Sequence, residues 1–365
     1  MNQEKIDELN FRNTEIVNAV KKRIEQKCPG SIDLIGIGGS FCSGDFYEKS
    51  DLDLVLISKN NNAGALDKCF ILKDVGFDIY THDFSSFEKM AEYENPYVTK
   101  LIDLKIIQMS EYGKEHYGEL QKRLKNNMGD NDKTAQNIKK HYMEAINVLA
   151  QLKTTNDIGA AYRLLAEIIK RIEYIIYLSN KSYVKGSTKR IPLEIQNMKL
   201  LPVGFMEVYK NITSVNSIKD AVLKGARLVK IIEKFLGYKL ECTRNLEKSN
   251  IHKKRLKAED LIGSYEEIYS NYKNKMVYAY KTNDQYLSFV TMVSCQDFYD
   301  EFYSEFEIPK IELIGKYDQN DLLKNVDSFD AAMNEWKLNY DKFGIEICHY
   351  SDINEFKKAY NSDLE

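Results

Sequence analysis

Gly38-Gly39-Ser40-Phe41-Cys42-Ser43-Gly44-Asp45-Phe46-Tyr47-Glu48-Lys49-Ser50-Asp51-Leu52-Asp53-Leu54-Val55-Leu56-Ile57 is the stretch on which the reading of this chain turns. Its second half, Leu52 to Ile57, reads as a strand. Alternate side chains of a strand share a face, so Asp51 and Asp53 project to one side with their carboxylates close together. Like charges that close repel, and packing gives an alternating strand no use for them. A divalent cation relieves the repulsion. Magnesium takes hard oxygen ligands and commonly shares its coordination sphere with substrate phosphates, so the pair reads as a platform for a metal-bound triphosphate.

The glycines supply the other half of such a site. Without side chains, Gly38 and Gly39 let the backbone approach a ligand, and the amides there, with the Ser40 hydroxyl, can hydrogen-bond terminal phosphates. A helix starting at Phe41 would add the favourable charge of its amino end. In-line phosphoryl transfer commonly uses two metals about 4 Å apart, which calls for a third carboxylate on a neighbouring strand. Asp78, in Gly76-Phe77-Asp78-Ile79-Tyr80, is the candidate, and Asp83 just beyond it is the alternative.

Outward from this stretch the pattern divides the chain. Ile16, Val17, Val20 and Ile24 recur at helical spacing until Pro29-Gly30 stops the run, and Ile32 to Gly36 and Val75 to Thr81 read as further strands. From Asn131 the segments lengthen: His141 to Leu152, Ile158 to Leu178, Ser217 to Leu236 and Leu261 to Met276 read as helices packing apolar stripes inward, such as Tyr162, Leu165, Ile169, Ile172 and Ile176. The last hundred residues mix helices (Asp284 to Phe306, Asp327 to Phe343) with turns, and the basic run His252 to Lys257 marks the joint before them.

Gly39-Ser40, the ten-residue gap, Asp51-Leu52-Asp53 and the later Asp78 resemble the signature of the DNA polymerase β-like nucleotidyltransferase superfamily. A short catalytic α/β part followed by helices is similar to its antibiotic-modifying branch, the aminoglycoside and lincosamide nucleotidyltransferases. The motif spans residues 32 to 81, and the remainder matches in general layout only. The resemblance implies that Asp51 and Asp53 bind two magnesium ions, that Asp78 binds the catalytic one, and that Gly38, Gly39 and Ser40 hold the triphosphate of ATP or another NTP. An acceptor hydroxyl then attacks the α-phosphorus, pyrophosphate leaves, and AMP is the expected group transferred to a small molecule such as an aminoglycoside-like antibiotic. The family also places a general base on the first long helices after the catalytic domain, which points to Glu167.

The bland readings of the remaining candidates are strong. Glu167 and Arg171 lie four residues apart and equally describe an exposed helical ion pair. Lys185, Lys189 and Arg190 form a basic loop suited to a triphosphate, and equally a solvated one. His82 and His141 are isolated and read as hydrogen-bonded packing residues.

With 52 Lys+Arg against 55 Asp+Glu the formal charge is −3, so no global positive field holds nucleic acid. The six cysteines are scattered without metal-ligand spacing and read as reduced thiols. Met1 to Glu8 is polar and acidic, unlike a signal peptide, and the apolar runs fall short of a membrane span, so the expected setting is cytoplasmic with no membrane partner. The expected fold is α+β: a mixed-sheet catalytic domain over 1–130, a helical bundle binding the acceptor over 131–245, and a helical extension over 246–365. The same triad would also serve a cyclic or oligonucleotide synthase or a protein-nucleotidylating enzyme, and a degenerate copy would only bind nucleotide.

Overall fold

The computed structural model describes residues 1–59, 61–237 and 253–364; Cys242, His252 and the boundary expected near residue 245 lie outside them. The first helix, α1 (Gln3–Lys27), is capped by the Asn2 side chain accepting from Lys5 N at 3.0 Å, and it buries Ile16, Val17, Val20 and Ile24, the stripe its sequence spells out. It leads into β1 (Ile32–Ile37), the single turn α2 (Ser40–Ser43), β2 (Leu54–Ser58), the hairpin β3 (Lys68–Leu72) and β4 (Val75–Ile79), and β5 (Thr81–His82). Two short helices, α3 (Ser85–Ala91) and α4 (Thr99–Ile102), precede β6 (Lys105–Met109).

Four strands form one sheet in the order β5-β2-β1-β6, with β1 antiparallel to both neighbours and β2 parallel to β5. The β3–β4 hairpin starts a second sheet. Its turn puts Lys73 at φ +56°, in the left-handed region that tight hairpin turns require.

The helical part comprises α5 (Glu111–Gly129), α6 (Asn131–Leu152), α7 (Ile158–Ser179), α8 (Ile191–Gln196), α9 (Phe205–Tyr209) and α10 (Ile218–Leu236). The α7 stripe is its axis: Tyr162, Leu165, Ile169, Ile172 and Ile176 are all buried. α6 and α10 pack against it.

Beyond the undescribed segment, one continuous helix is expected over Leu261 to Met276, and the chain is broken instead. It runs α11 (Ala258–Leu261), α12 (Ser264–Ile268), a π-helical turn over 269–273, and α13 (Asn274–Thr282). Gly263 at φ +88° forces the first break, since that conformation ends a right-handed helix. α14 (Gln285–Glu305) and α15 (Leu322–Phe343) follow, with Trp336 fully buried between them and its indole N–H donating to Ser264 Oγ at 3.1 Å.

The tail then returns to the beginning of the chain. β7 (His349–Tyr350) pairs in parallel with β3, giving the second sheet the order β4-β3-β7, and α16 (Ile353–Tyr360) packs on α1. Phe356 stacks on Phe70 at 4.3 Å between ring centroids, within a core of its own made by α1, both sheets and the tail. A second core joins the opposite face of the first sheet to the helices. The fold is thus α+β, with two small sheets, helices over them, and a C-terminal segment that is partly strand. Among the described residues no helix is long and apolar enough to cross a membrane.

Candidate active site

A cavity of about 440 Å³ opens where the turn after β1, the segment before β2, the β4 start, the 184–189 loop and the π-turn with α13 meet. Gly38, Gly39, Ser40, Asp51, Asp53 and Lys185 all line it, so the motif read from sequence is gathered in one place. Asp78, Glu167 and Arg190 are not among its lining residues.

β1 ends at Ile37, and Gly38 N donates to Asp53 O at 2.9 Å, which seats the glycine turn against the acid segment. Gly39 has φ +62°, and a Cβ built on it would lie 1.6 Å from Asp53 Oδ2 and 2.3 Å from Asp53 Cγ. Only glycine both takes this conformation and leaves room for the carboxylate. The helix expected from Phe41 is one turn, ended by Gly44 in the left-handed conformation, so it has too few aligned peptide units to contribute much dipole.

The acids precede the strand rather than lie in it. β2 starts at Leu54, and the lead-in is held by specific bonds: Arg12 Nη2 donates to Ser50 O at 2.7 Å, Ser50 N to Tyr47 O at 2.9 Å, and Tyr47 N to Ser50 Oγ at 3.0 Å. Arg12 comes from α1 and lies over the Phe77 ring at 4.9 Å. Burial lowers its pKa to about 10, while the charge of Asp51 opposes the loss of its proton. The sequence reading missed this residue: a lone arginine in an amphipathic helix carries no signal.

Burial pushes the Asp51 carboxyl up to about 7; the charge of Asp53 adds to the shift, Lys275 opposes it, and Asp78 adds more. Asp78 is raised by burial first and by Asp53 second, with Lys100 and Lys275 opposing. The three acids therefore feel one another. Yet no group of three His, Cys, Asp or Glu side chains among the described residues could hold a metal ion. Asp78 pairs with Cys69 across the hairpin, and Cys69, Tyr80 and Glu267 feel its charge behind the cavity wall. The donor set of the cavity thus fits a hard cation held by Asp51 and Asp53 and completed by substrate oxygens, the usual habit of magnesium, rather than a closed protein cage. Asp83, just ahead of α3, accepts from Ser85 N at 2.9 Å and is not among the cavity's lining residues.

Of the basic loop, Lys185 and Lys189 face the cavity. Arg190 is taken up by Asp45, with Nη2 to Oδ1 at 2.8 Å, and Lys189 Nζ lies 3.3 Å from the same carboxylate. These bonds lower the Asp45 pKa against the effect of its burial. Glu194 orders the loop from the other side, accepting from Gly186 N at 2.7 Å and Lys185 N at 3.1 Å. Lys189 Nζ also sits over the rings of Tyr278 and Tyr47, at 4.8 and 5.4 Å, so the two tyrosines and the lysine make one wall.

Glu167 accepts from Arg171 Nε at 2.6 Å, the helical ion pair its spacing also allows. Nearby, His141 is buried, with Nε2 at 2.8 Å from Glu94 O. His82 is exposed on β5.

The face of the π-turn and α13 is the largest contribution the sequence reading missed. Asn271, Asn274, Lys275 and Tyr278 all line the cavity at spacings of three, one and three residues. A polar stripe at helical period inside an apparent bundle helix was the available signal.

No protein-family model and no curated relative matches the chain. Among solved structures it is similar to a nucleotidyltransferase-like protein from Exiguobacterium sibiricum 255-15, at 11% identity and a TM-score of 0.36 over 60% of this chain and 77% of that one. At that level the likeness covers part of the architecture, and the functional reading stands on this chain's own residues.

Proposed function

We propose that this chain transfers a nucleoside monophosphate from a magnesium-bound nucleoside triphosphate, ATP or another, to a hydroxyl of a small molecule, releasing pyrophosphate. One observation carries the reading. Asp51 and Asp53 enter an open cavity beside a glycine turn shaped around the second of them, in company with Lys100, Lys185 and Lys275, which form no ion pair among the described residues.

A magnesium ion held by the two carboxylates would offset negative charge on the phosphates as the transfer proceeds. The chain's own residues do the rest. Gly39 and Ser40 line the cavity, and the Gly39 amide and Ser40 hydroxyl can donate to phosphate oxygens, while the Gly38 amide holds Asp53 O. Arg12 fixes the Ser50 carbonyl and so the direction in which Asp51 points. The Tyr47–Tyr278 wall gives a planar base a surface to lie on, with ring centroids 5.1 Å apart. Transfer forms a bond from the acceptor oxygen to the α-phosphorus, breaks the bond to the β-phosphate oxygen, and gives the hydroxyl proton to solvent. Positioning and charge supply most of the rate.

The lining argues against a polycationic acceptor. Its ionisable acids are Asp45, Asp51, Asp53 and Asp103, and they face Lys49, Lys100, Lys185, Lys189 and Lys275. Without acidic excess, the favoured acceptor is a neutral or weakly charged alcohol rather than an aminoglycoside. Glu167, already bonded to Arg171, is not proposed as its base.

The test replaces Asp53 with Asn. Magnesium-dependent pyrophosphate release, screened with four triphosphates and a panel of hydroxyl acceptors, should vanish in the variant while its circular dichroism is unchanged. An undiminished rate removes Asp53 from the chemistry, and product formed from triphosphate alone would redirect the reading to nucleotide-signal synthesis.

A further inference from the structure

The last third of the chain builds one wall of the cavity. Helix α13 is held to the catalytic side at several points. Asn274 Nδ2 donates to Asp74 O at 3.2 Å, Tyr47 OH donates to Asn274 O at 3.3 Å, and Lys273 bonds Asp330 of α15 behind it. At Gly76 the backbones nearly touch: a Cβ there would lie 2.5 Å from both N and Cα of Ser270 in the π-turn. π-turns inside helices often re-aim side chains at functional sites, and this one turns Asn271, Asn274, Lys275 and Tyr278 toward the cavity.

The Lys275 ammonium has no carboxylate within 4.0 Å and no hydrogen bond among the described residues, although four aspartates share the cavity with it. Lys100 on α4 and Lys185 on the loop are likewise without an ion pair. Three lysines from three separate elements thus line the cavity that holds Asp51 and Asp53. Mutual repulsion would spread them into solvent unless an anion is meant to lie between them. Helix packing also gives no reason for Lys275, which is exposed while its neighbours Met276 and Ala279 are buried.

We infer that Lys275, supplied by the C-terminal third of the chain, is a binding residue for the polyphosphate of a nucleoside triphosphate, holding the phosphates that leave as pyrophosphate. The inference deepens the proposed function and rests on it. An ammonium suits this task because it serves as a mobile point charge that follows the departing group. The lysine lines the same cavity as Asp51 and Asp53 without closing an ion pair with either that would block it.

The experiment measures binding of the full chain, with magnesium, to non-hydrolysable analogues of the four nucleoside triphosphates and to the matching nucleosides. Lys275→Met should weaken triphosphate binding roughly ten- to a hundredfold, the worth of a hydrogen bond to a charged group, and leave nucleoside binding unchanged. Lys275→Arg should recover most of the loss, and Lys281→Met, on the far end of the same helix, should behave as wild type. Wild-type triphosphate affinity in Lys275→Met, alongside a defect in Asp53→Asn, overturns the inference and leaves the function standing. Equal weakening for nucleoside and triphosphate also overturns it, by assigning Lys275 a structural role. A wild-type chain that binds none of the four analogues sinks the proposed function and the inference with it.

Discussion

Gly39 and Asp53 occupy one space: a Cβ on the glycine would fall 1.6 Å from Asp53 Oδ2, and the glycine backbone stands at φ +62°. Gly39→Ala therefore meets two obstacles, a strained conformation and a collision with the carboxylate. Displacing a reacting group by about 1 Å costs on the order of a hundredfold in rate. Pyrophosphate release should fall by at least that much while the helical circular dichroism remains. A fully active alanine variant would mean that Asp53 need not sit where it does.

The contact between Gly76 and Ser270 makes a separate prediction. Here the obstacle is backbone, which cannot swing aside as a side-chain tip can. Gly76→Ala should push the π-turn and α13 off the hairpin, destabilising the protein by about 1–3 kcal/mol as overpacking does. Triphosphate affinity should drop with it. Urea unfolding and analogue binding measured on the same variant test both halves.

Arg12→Ala should leave the Ser50 carbonyl without its donor and remove a guanidinium that feels the charge of Asp51. The loss of such a bond costs about 1–3 kcal/mol, and magnesium affinity should fall more than nucleoside affinity. A titration with magnesium alone, followed by intrinsic fluorescence, reads the first quantity. Unchanged magnesium affinity would limit Arg12 to a packing role.

Glu173 provides a pH test away from the cavity. It is buried on α7, its Oε1 accepts from Tyr209 OH at 2.6 Å and Tyr286 OH at 2.5 Å, and burial pushes its pKa up to about 7 against the lowering effect of those bonds. Because the folded value lies above the ordinary 4.5, the neutral acid is the form the fold prefers. Its stabilising share is complete below about pH 4.5 and is lost as pH rises through 7. Glu173→Gln, which keeps an oxygen acceptor for the tyrosines, should match wild type at pH 5 and exceed it at pH 8 by at most about 3 kcal/mol. Chemical denaturation at the two pH values decides, and equal stability at pH 8 would mean the carboxylate is ionised in place without cost.

The parts of this arrangement that sequence revealed were those with short-range causes. Gly38 to Ile57 could be read because glycine, paired acids and a branched run each have few uses, and α7 because its stripe repeats at 3.6 residues. The register of the acids relative to β2 was not legible, since Arg12 arrives from a helix 38 residues earlier to set it. Asp78 lies on the expected strand but is not among the cavity's lining residues, and it sits opposite Cys69 in a hairpin whose first strand went unread. Leu261 to Met276 looked like one bundle helix because apolar spacing dominates the pattern; the breaks depend on Gly263 and on the contact with Gly76, which is tertiary.

The pairing of Ile71 with His349 and of Leu72 with Tyr350 has a consequence for biosynthesis. As the nascent chain leaves the ribosome, β3 has one bare edge until nearly 280 further residues have been made, and an uncovered edge is open to pairing with another molecule. Phe70 likewise waits for Phe356. Cells translating this message should therefore depend on holdase chaperones in the interval, and a premature stop before codon 345 should yield aggregates rather than a smaller folded protein.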